Sequence, residues 1–321
     1  MSRSRKWQQL CDGEASVSRF VVPPVFARRI TAIYGAQGEA WLAELPDLMQ
    51  RCARRWSLTL KRPFPDLTYN YVIAATRADG LPVVLKLGVV NRELITEIHA
   101  LRLYAGQGAV RLLDAVPEAG ALLLEQLYPG TPLSNQEDDA RATAVAAHLM
   151  QQLWRPPVNP EQFPTVADWL RGFGRLRARY AGGVGLFPRH LVELAETLAT
   201  ELQTSAAPSV LLHGDLHHKN ILQAQRAPWL AIDPKGIIGE AAYETGSWLR
   251  NPFPQLLTWP QVRQVLARRV AQFAEILGFE PQRVIGWGVV QAVLSAWWSL
   301  EDNENNWEWG IRCAELLASL L

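Results

Sequence analysis

The feature that most constrains the fold of this chain is a polar segment enclosed by short apolar runs. Residues 211–220 have the sequence LLHGDLHHKN, and Asp233 follows Asn220 after 13 residues. Short apolar runs bounded by turn residues predict small strands, here at 210–212, 221–223 and 229–232. If the second and third of these strands pair, Asp233 returns to the side of Asn220. The sequence therefore predicts that a carboxylate and an amide oxygen approach one point, with Asp215 at the other end of the loop.

This arrangement has the chemistry of phosphoryl transfer from ATP. Carboxylate and amide oxygens are ligands that suit a magnesium ion also held by phosphates. Asp215 would then orient a hydroxyl nucleophile and take its proton. The alternative is a purely structural turn, because Asp and Asn are common in turns and helix caps. His213 alone is best interpreted as hydrogen-bonding the loop backbone. The combination of polar residues at these spacings favours catalysis.

A lysine inside an apolar run is the second unusual feature. Lys86 interrupts the run at residues 83–90, and a buried ammonium group without a partner costs several kcal/mol. Glu97 lies three residues after Leu94 and four before Leu101, so it should face inward from the following helix. We therefore expect Glu97 to pair with Lys86. The alternative is an edge lysine whose ammonium group extends into solvent.

Hydrophobic periodicity predicts an α+β chain in which a short sheet precedes a mainly helical part. Asp79-Gly80 between two apolar runs predicts a hairpin, and Asn91 is the expected N-cap of a helix that ends at Gly106. A helical pattern from Gly38 should break at Pro46. The predicted strands are 69–76, 82–90, 109–115 and 121–127. The predicted later helices are 138–154, 166–180, 190–203, 261–277, 281–300 and 307–321.

Composition and charge exclude several classes of protein. The balance of 32 basic and 31 acidic residues gives no reason to expect a nucleic-acid partner. The N-terminus lacks the apolar stretch of a signal peptide, and the longest uncharged run, residues 284–300, is expected to be a buried helix and not a membrane span. The three cysteines, Cys11, Cys52 and Cys313, fit neither a zinc site nor a disulfide framework. A cytoplasmic protein is expected.

Several segments together carry a resemblance to a known family. They are 106–113, 122–125, 213–220, 229–236 and Gly239-Glu240. The chain resembles the aminoglycoside phosphotransferase branch of the protein-kinase-like fold, and more closely the streptomycin 6-phosphotransferase and hydroxyurea antibiotic resistance kinase family. The resemblance runs from about residue 69 to residue 321. It implies a two-lobed fold: an extension at 1–60, a small antiparallel-sheet N-lobe with one key helix at 61–128, and a larger, mainly helical C-lobe at 129–321.

The resemblance also implies roles for individual residues. They are Asp215 as catalytic base, Asn220 and Asp233 as Mg²⁺ ligands, Lys86 with Glu97 as the pair that positions the ATP phosphates, and Glu125 to Leu127 as the hinge that meets adenine. The chain departs from protein kinases, since residues 68–71 contain no glycine where a Gly-rich phosphate loop would be. Asp-Phe-Gly and Ala-Pro-Glu are also missing, which argues against a protein substrate.

A cationic acceptor such as streptomycin should meet acidic residues. Glu240 and Glu244 follow Asp233 by 7 and 11 residues, and Trp248 is expected nearby. The alternative for Glu244 is a pair with Arg250. A second acidic group is Glu301, Asp302, Glu304 and Glu308, with aromatic neighbours Trp297, Trp298, Trp307 and Trp309. The alternative interpretation is that these acidic residues are solvated and that the tryptophans belong to the core.

The sequence therefore predicts an enzyme that transfers a phosphoryl group from ATP, with Mg²⁺, to a hydroxyl of a small cationic molecule. The first candidate is an aminoglycoside such as streptomycin, phosphorylated at position 6, which would confer resistance. One alternative acceptor is hydroxyurea, and another is a metabolite hydroxyl, as in choline, homoserine or fructosamine kinases. A non-catalytic nucleotide-binding module also stays open, although every motif position is filled. An interaction protein would leave Lys86 unexplained.

Overall fold

The structure is a computed structural model that describes residues 22–302 and 306–321. Two of the residues discussed above, Cys11 and Glu304, lie outside the described residues. The chain divides into two compact units. The first extends to Gly106 and includes Val110–Thr131, and the second consists of Gln107–Ala109 and Pro132–Leu321. The boundaries at residues 60 and 128 expected from the sequence stay predictions.

The first unit is built on an antiparallel five-stranded sheet with the order β1-β2-β3-β5-β4. Its strands are β1 Leu58–Pro63, β2 Tyr71–Arg77, β3 Pro82–Leu87, β4 Leu112–Val116 and β5 Ala121–Glu125. The predicted hairpin joins β2 to β3, and Gly80 at its turn has a φ of +83°, which favours glycine. The sequence prediction missed β1, an edge strand that begins only two residues after a helix ends.

Helix α1, Pro24–Trp56, shows that the predicted break at Pro46 is wrong. The helix continues through Pro46, and its backbone instead leaves helical geometry at Gly35, where φ is 55° and ψ is −134°. Proline removes one helical hydrogen bond but has a φ compatible with a helix. The neighbours Leu45 and Leu48 are buried in the core of the first unit, and their packing retains the helix across this position.

Helix α2, Arg92–Tyr104, begins and ends as the sequence predicts. The Asn91 side chain accepts a hydrogen bond of 2.8 Å from the Leu94 N–H. The helix ends at Ala105, which is left-handed with a φ of 47°, and Gly106 follows with a φ of 80°. Because the N-cap fixes where the helix starts, it also fixes which residues face the sheet.

The second unit is mainly helical, as predicted. Its helices are α3 Asp139–Leu153, α4 Val166–Arg179, α5 Arg189–Thr204, α6 Thr245–Leu249, α7 Val262–Leu277, α8 Pro281–Glu301 and α9 Trp307–Ala318. Four short strands form two pairs: β6 Val210–Leu212 with β9 Ile237–Gly239, and β7 Ile221–Gln223 with β8 Trp229–Ala231. The sequence prediction missed helix α6 and strand β9 of this unit.

Helix α8 is buried over most of its length, including every residue from Val284 to Leu294. The prediction that residues 284–300 form a buried helix is therefore confirmed. Among the described residues, no helix has the length and apolar character needed to cross a membrane.

Candidate active site

In the first unit, Lys86 and Glu97 form a buried ion pair. The Lys86 Nζ lies 2.6 Å from Oε1 and 2.8 Å from Oε2 of Glu97. The two side chains are 3% and 8% exposed. The predicted pairing is confirmed, and the alternative of a lysine extending into solvent is wrong. Strand β3 supplies the lysine and helix α2 supplies the glutamate, so the pair depends on the N-cap that fixes the position of α2.

The predicted hinge, Glu125 to Leu127, begins at the last residue of strand β5. The Glu125 N–H donates to the Arg111 carbonyl at 3.1 Å, and the Arg111 N–H donates to the Glu125 carboxylate at 2.8 Å. The Gln126 N–H donates to the Pro82 carbonyl at 3.4 Å. The Leu127 N–H donates no hydrogen bond to any described residue. Glu125 thus hydrogen-bonds at the end of the sheet, and the backbone N–H of Leu127 is available within the predicted hinge.

In the second unit, His213 starts the loop between β6 and β7. Its Nδ1 accepts the Asp215 N–H at 3.2 Å, so the neutral ring must carry its proton on Nε2, which donates to the Ile232 carbonyl at 2.8 Å. Burial lowers the pKa of His213 to about 4. The interpretation of His213 as a residue that organises the loop backbone is confirmed.

Asn220 and Asp233 lie side by side, as the strand pattern predicts. The Ile232 N–H donates to the Asn220 carbonyl at 2.9 Å, which continues the β7–β8 ladder to the residue before Asp233. Asp233 itself is exposed and left-handed, with a φ of +58°. The Asn220 Nδ2 donates to the Asp215 carbonyl at 3.0 Å. This bond directs the amide nitrogen inward and leaves Oδ1 as the group that Asn220 can offer to a cation.

Asp215 has two unlike carboxylate oxygens. Its Oδ1 accepts from the Ser247 hydroxyl and from Arg250 Nη2, each at 3.1 Å. Its Oδ2 lies 3.7 Å from His217 Nε2, which exceeds hydrogen-bonding distance. Burial would raise the pKa of the Asp215 carboxyl, but the positive charges of His217, Arg250 and Lys235 outweigh burial and hold this pKa well below its usual range. Asp215 is therefore an ionised carboxylate whose Oδ1 is held by two donors.

Glu244 lies beneath the loop and does not face an acceptor site, which corrects the substrate role expected from the sequence. Its carboxylate accepts the His213 N–H at 2.6 Å and the Gly214 N–H at 2.9 Å. The alternative pairing with Arg250 is also wrong, because Arg250 bonds Asp215. Burial raises the pKa of Glu244 to about 7, although the backbone N–H groups oppose this shift. Glu244 thus fixes the loop from the inside.

The raised pKa of Glu244 makes stability depend on pH. In the unfolded chain this pKa is near its ordinary value, so the folded state binds the proton more tightly. The stabilisation is fully present below the unfolded pKa and is lost as pH rises through about 7. Between pH 4.5 and pH 8, we expect the free energy of unfolding of the native chain to fall by about 3 kcal/mol more than that of the Glu244→Gln variant. Free energies of unfolding at several pH values test this, and parallel curves for the two proteins would contradict it.

Trp248 is also part of the core, which corrects its expected role beside the substrate. Its side chain is fully buried, its indole N–H donates to the Thr143 hydroxyl at 3.1 Å, and its ring stacks on His218 at 3.7 Å between centroids. Arg269, also fully buried, donates to the Trp248 and Asn251 carbonyls at 3.1 and 2.6 Å. This packing contacts the loop through His218, which belongs to the loop.

Arg269 and its neighbour Arg268 provide a matched test of this support. Both contact Asp139, but the Arg269 side chain is completely buried and the Arg268 side chain is 47% exposed. We expect Arg269→Met to cost about 3–5 kcal/mol in the free energy of unfolding, because it leaves Asp139 without its buried partner. Arg268→Met should cost about 0–1 kcal/mol. Urea unfolding of both variants gives the comparison, and equal losses would show that burial does not set the strength of this pair.

Glu240 is likewise committed to the interior, so its expected substrate role is wrong. Its carboxylate accepts from Arg283 Nη2 at 2.6 Å and from the Ala207 N–H at 3.2 Å. It also accepts from the Trp287 indole N–H. The side chain is only 2% exposed. Glu240 therefore ties the segment after β9 to helix α8.

The second acidic group is more exposed. Glu301, at the end of α8, bonds Arg175 at 2.7 Å, and Asp302 follows as the exposed C-cap. Trp297 is buried, and Trp298 meets Trp169 edge to face at 5.4 Å. The remaining members are exposed Glu308 and half-buried Trp307 and Trp309. An acceptor role for Glu301 and Asp302 stays a prediction, and part of the aromatic group is core.

Ser247 and Arg250 are the site residues that the sequence analysis missed. They are three positions apart around the short helix α6, so both reach the same side of it. The available signal was a Ser and an Arg at this spacing soon after Asp233. Arg250 was considered only as a partner for Glu244, because sequence distance cannot say which of two nearby carboxylates an arginine meets.

An antiparallel sheet with a strand Lys–helix Glu pair, followed by a helical unit that carries the Asp215 loop, defines a protein-kinase-like fold. The chain is similar to the solved structure of aminoglycoside phosphotransferase APH(4)-Ia, with a TM-score of 0.61 and 14% identity, over 86% of this chain and 99% of that one. Residues 55–303 match the model of the aminoglycoside/hydroxyurea antibiotic resistance kinase family. The chain belongs to this family, and it is a phosphotransferase that uses a hydroxyl acceptor.

Curated relatives match most of the chain. The chain is 32% identical over 298 residues to the streptomycin 6-kinase of Streptomyces glaucescens. The matched region is 89% of this chain and 94% of the relative. It is 33% identical over 281 residues to the hydroxyurea phosphotransferase of Kitasatospora aureofaciens, covering 84% and 77% respectively. The two relatives act on very different acceptors, so the family assignment by itself leaves the acceptor open.

Proposed function

We propose that this protein transfers the γ-phosphoryl group of ATP, with Mg²⁺, to a hydroxyl group of an aminoglycoside, with streptomycin at position 6 as the first candidate. The observation that carries the proposal is the second unit's loop, in which Asp215, Asn220 and Asp233 offer a proton acceptor beside two oxygen ligands. The matching family model and the streptomycin 6-kinase relative support the acceptor class. Such a reaction would protect a cell from the drug.

Asp215 acts as the catalytic base in this proposal. The acceptor hydroxyl hydrogen-bonds to the carboxylate, which orients the oxygen toward the γ-phosphorus and takes the proton as the new P–O bond forms. ADP leaves when the bond between the β–γ bridging oxygen and the γ-phosphorus breaks. The low pKa of Asp215 keeps the carboxylate ionised before each turnover. Its basicity is modest, which suits a reaction in which little proton transfer precedes bond formation.

The donor set of Asn220 and Asp233 fits a magnesium ion. The hydrogen bond from Asn220 Nδ2 to the Asp215 backbone leaves the amide oxygen to bind a cation, and Asp233 supplies an exposed carboxylate. Magnesium takes oxygen ligands and keeps only a few from the protein, with phosphates and water completing its shell. When bound, the ion would neutralise charge on the transferring phosphates. Asn220 and Asp233 would hold it.

ATP is bound in this proposal by Lys86, which Glu97 positions, and by the hinge. Glu97 holds the Lys86 ammonium in one position, so that it binds phosphate oxygens without first losing side-chain freedom. The Leu127 N–H, which has no partner among the described residues, would donate to the adenine ring. Glu125 would position the hinge through its two hydrogen bonds to Arg111.

A second candidate acceptor is hydroxyurea, which is favoured by the 33% identity to a hydroxyurea phosphotransferase. Both acceptors present a hydroxyl group, and the Asp215 loop would serve either. They differ in charge, since streptomycin carries two guanidinium groups. The exposed Asp302 at the end of α8 would favour the cationic acceptor.

An acceptor panel tests the proposed function. The protein is incubated with ATP and Mg²⁺ and with streptomycin, hydroxyurea, choline, homoserine or fructosamine separately, and ADP release is measured. We expect kcat/KM to be highest for streptomycin, at least about tenfold above hydroxyurea. Higher efficiency with hydroxyurea would favour the second candidate. If ADP is released equally slowly with and without each acceptor, the proposal that the protein phosphorylates an acceptor of this panel is contradicted.

A further inference from the structure

The two oxygens of Asp215 are held differently by the second unit. Ser247 lies in α6 and Arg250 directly follows it, and both donate to Oδ1 at 3.1 Å. No group among the described residues donates a hydrogen bond to Oδ2, and the nearby His217 Nε2 lies 3.7 Å from it. The Asp215 side chain is 23% exposed. One oxygen is therefore occupied by protein donors and the other is left for a ligand.

The element that carries the two donors is packed in a fixed position. A Cβ on Gly246 would lie 2.6 Å from Cδ of Gln291, so α6 and α8 are in direct contact there. Gln291 also donates to the Tyr243 carbonyl, just before α6. The Arg250 side chain is only 18% exposed, and its Nε is buried with no partner among the residues the structure describes. Arg250 therefore has little room to leave Asp215.

We infer that Ser247 and Arg250 are positioning residues, which occupy Oδ1 of Asp215 and so assign Oδ2 as the oxygen that receives the acceptor proton. This inference rests on the proposed function, because it concerns the base of that reaction. A carboxylate can rotate by half a turn and exchange its two oxygens. Two donors on one oxygen, one of them a guanidinium group, oppose this rotation and keep the other oxygen directed at the acceptor.

The proposed step moves one proton to Asp215 and one phosphoryl group to the acceptor. The acceptor O–H bond breaks and its proton moves to Oδ2, while the acceptor oxygen forms a bond to the γ-phosphorus. The bond from that phosphorus to the bridging oxygen breaks, and ADP leaves with the electron pair. Asp215 then releases the proton to water. Ser247 and Arg250 exchange no proton and contact neither reactant, so their effect reaches the reaction through Asp215 alone.

The test compares Arg250→Gln, Arg250→Lys and Ser247→Ala with the native protein, using the most efficient acceptor of the panel. Arg263→Gln is the control, because Arg263 is an arginine of the same unit that bonds Ser319 on the exposed surface. We expect Arg250→Gln to lower kcat about 10- to 100-fold, with KM for ATP and for the acceptor changed less than about 3-fold. Ser247→Ala should lower kcat about 3- to 10-fold, and Arg250→Lys should recover part of the loss.

A double variant distinguishes a positioning role from a merely structural one. In the Asp215→Asn background, Arg250→Gln should change the residual rate by less than about 3-fold, because residues that act as a unit are not additive. Melting temperatures show which variants are folded. If Arg250→Gln does not fold, Ser247→Ala alone and in the Asp215→Asn background decides the question.

Four results would overturn the inference. Unchanged kcat in folded Arg250→Gln and Ser247→Ala, or a full additive loss in the Asp215→Asn background, rejects the positioning role while the proposed function stands. A rise in acceptor KM with unchanged kcat would make Arg250 a substrate-binding residue instead. If the native protein turns over no acceptor, the proposed function fails and the inference fails with it.

Discussion

Asp215→Asn is expected to remove almost all phosphoryl transfer and to leave the fold intact. Asparagine has nearly the same shape, and its amide oxygen can still accept from Ser247 and Arg250. It cannot take a proton from a hydroxyl group, so the general-base contribution of about 10²- to 10⁴-fold in kcat should be lost. Initial rates with the most efficient acceptor measure this loss. Calorimetric titration with ATP should give an affinity close to that of the native protein.

Asp66→Asn is the control for this experiment, because Asp66 is an exposed aspartate of the first unit. It should retain the native rate and melting temperature. An Asp215→Asn protein that is folded and still turns over at a rate near the native one would remove Asp215 as the base. A variant that has lost ATP affinity as well would point to a role in nucleotide binding.

Lys86→Met is expected to impair the use of ATP and also to destabilise the first unit. The ammonium group is 2.6 and 2.8 Å from the two Glu97 oxygens, and its removal leaves a buried carboxylate without its partner. Breaking such a pair costs about 3–5 kcal/mol. We expect kcat/KM for ATP to fall about 10²- to 10³-fold, since a fixed charge that stabilises the phosphates is lost.

The double variant Lys86→Met/Glu97→Leu separates these two effects. Replacing both charges by apolar side chains should restore much of the stability, because a buried ion pair contributes little beyond an apolar pair of similar volume. It should not restore the use of ATP. Measurements of kcat/KM for ATP and of melting temperature on both variants are needed. Native efficiency with ATP in the stable double variant would show that Lys86 has no role at the phosphates.

The Lys86–Glu97 pair shows what the sequence can predict. A charge in an apolar run requires a partner, and helical spacing from Leu94 to Leu101 identified which of two nearby glutamates faces inward. The proximity of Asn220 and Asp233 was also predictable from local rules. Two short strands with a tight connection return the chain to its starting point, so local rules suffice.

The direction of the acidic side chains after Asp233 was not predictable. Glu240 and Glu244 are near the loop in sequence, but each faces the interior, where a negative charge needs donors from elsewhere in the chain. For Glu244 these donors are the backbone N–H groups of the loop itself, and for Glu240 the main donor is Arg283. Such partners depend on tertiary packing. The residue types and spacing of a single sequence do not show which distant groups come together.

The misplaced break at Pro46 has a similar cause. Proline disfavours a helix locally, but buried neighbours such as Leu45 and Leu48 outweigh the loss of one hydrogen bond. Ser247 and Arg250 were missed because α6 is only five residues long, which is too short for periodicity to reveal. The sequence thus predicted the positions of the residues proposed to carry the chemistry more fully than those of the residues that hold them in place.

The most direct test of the central claim is identification of the product. The native protein is incubated with ATP, Mg²⁺ and streptomycin, and the products are analysed by mass spectrometry and phosphorus NMR. We predict streptomycin carrying one phosphoryl group at the position 6 hydroxyl, formed in equal amount to ADP, and about 10²- to 10⁴-fold less of this product in the same time with Asp215→Asn. Streptomycin recovered unmodified, although the native protein is folded and ATP is present, would contradict the account.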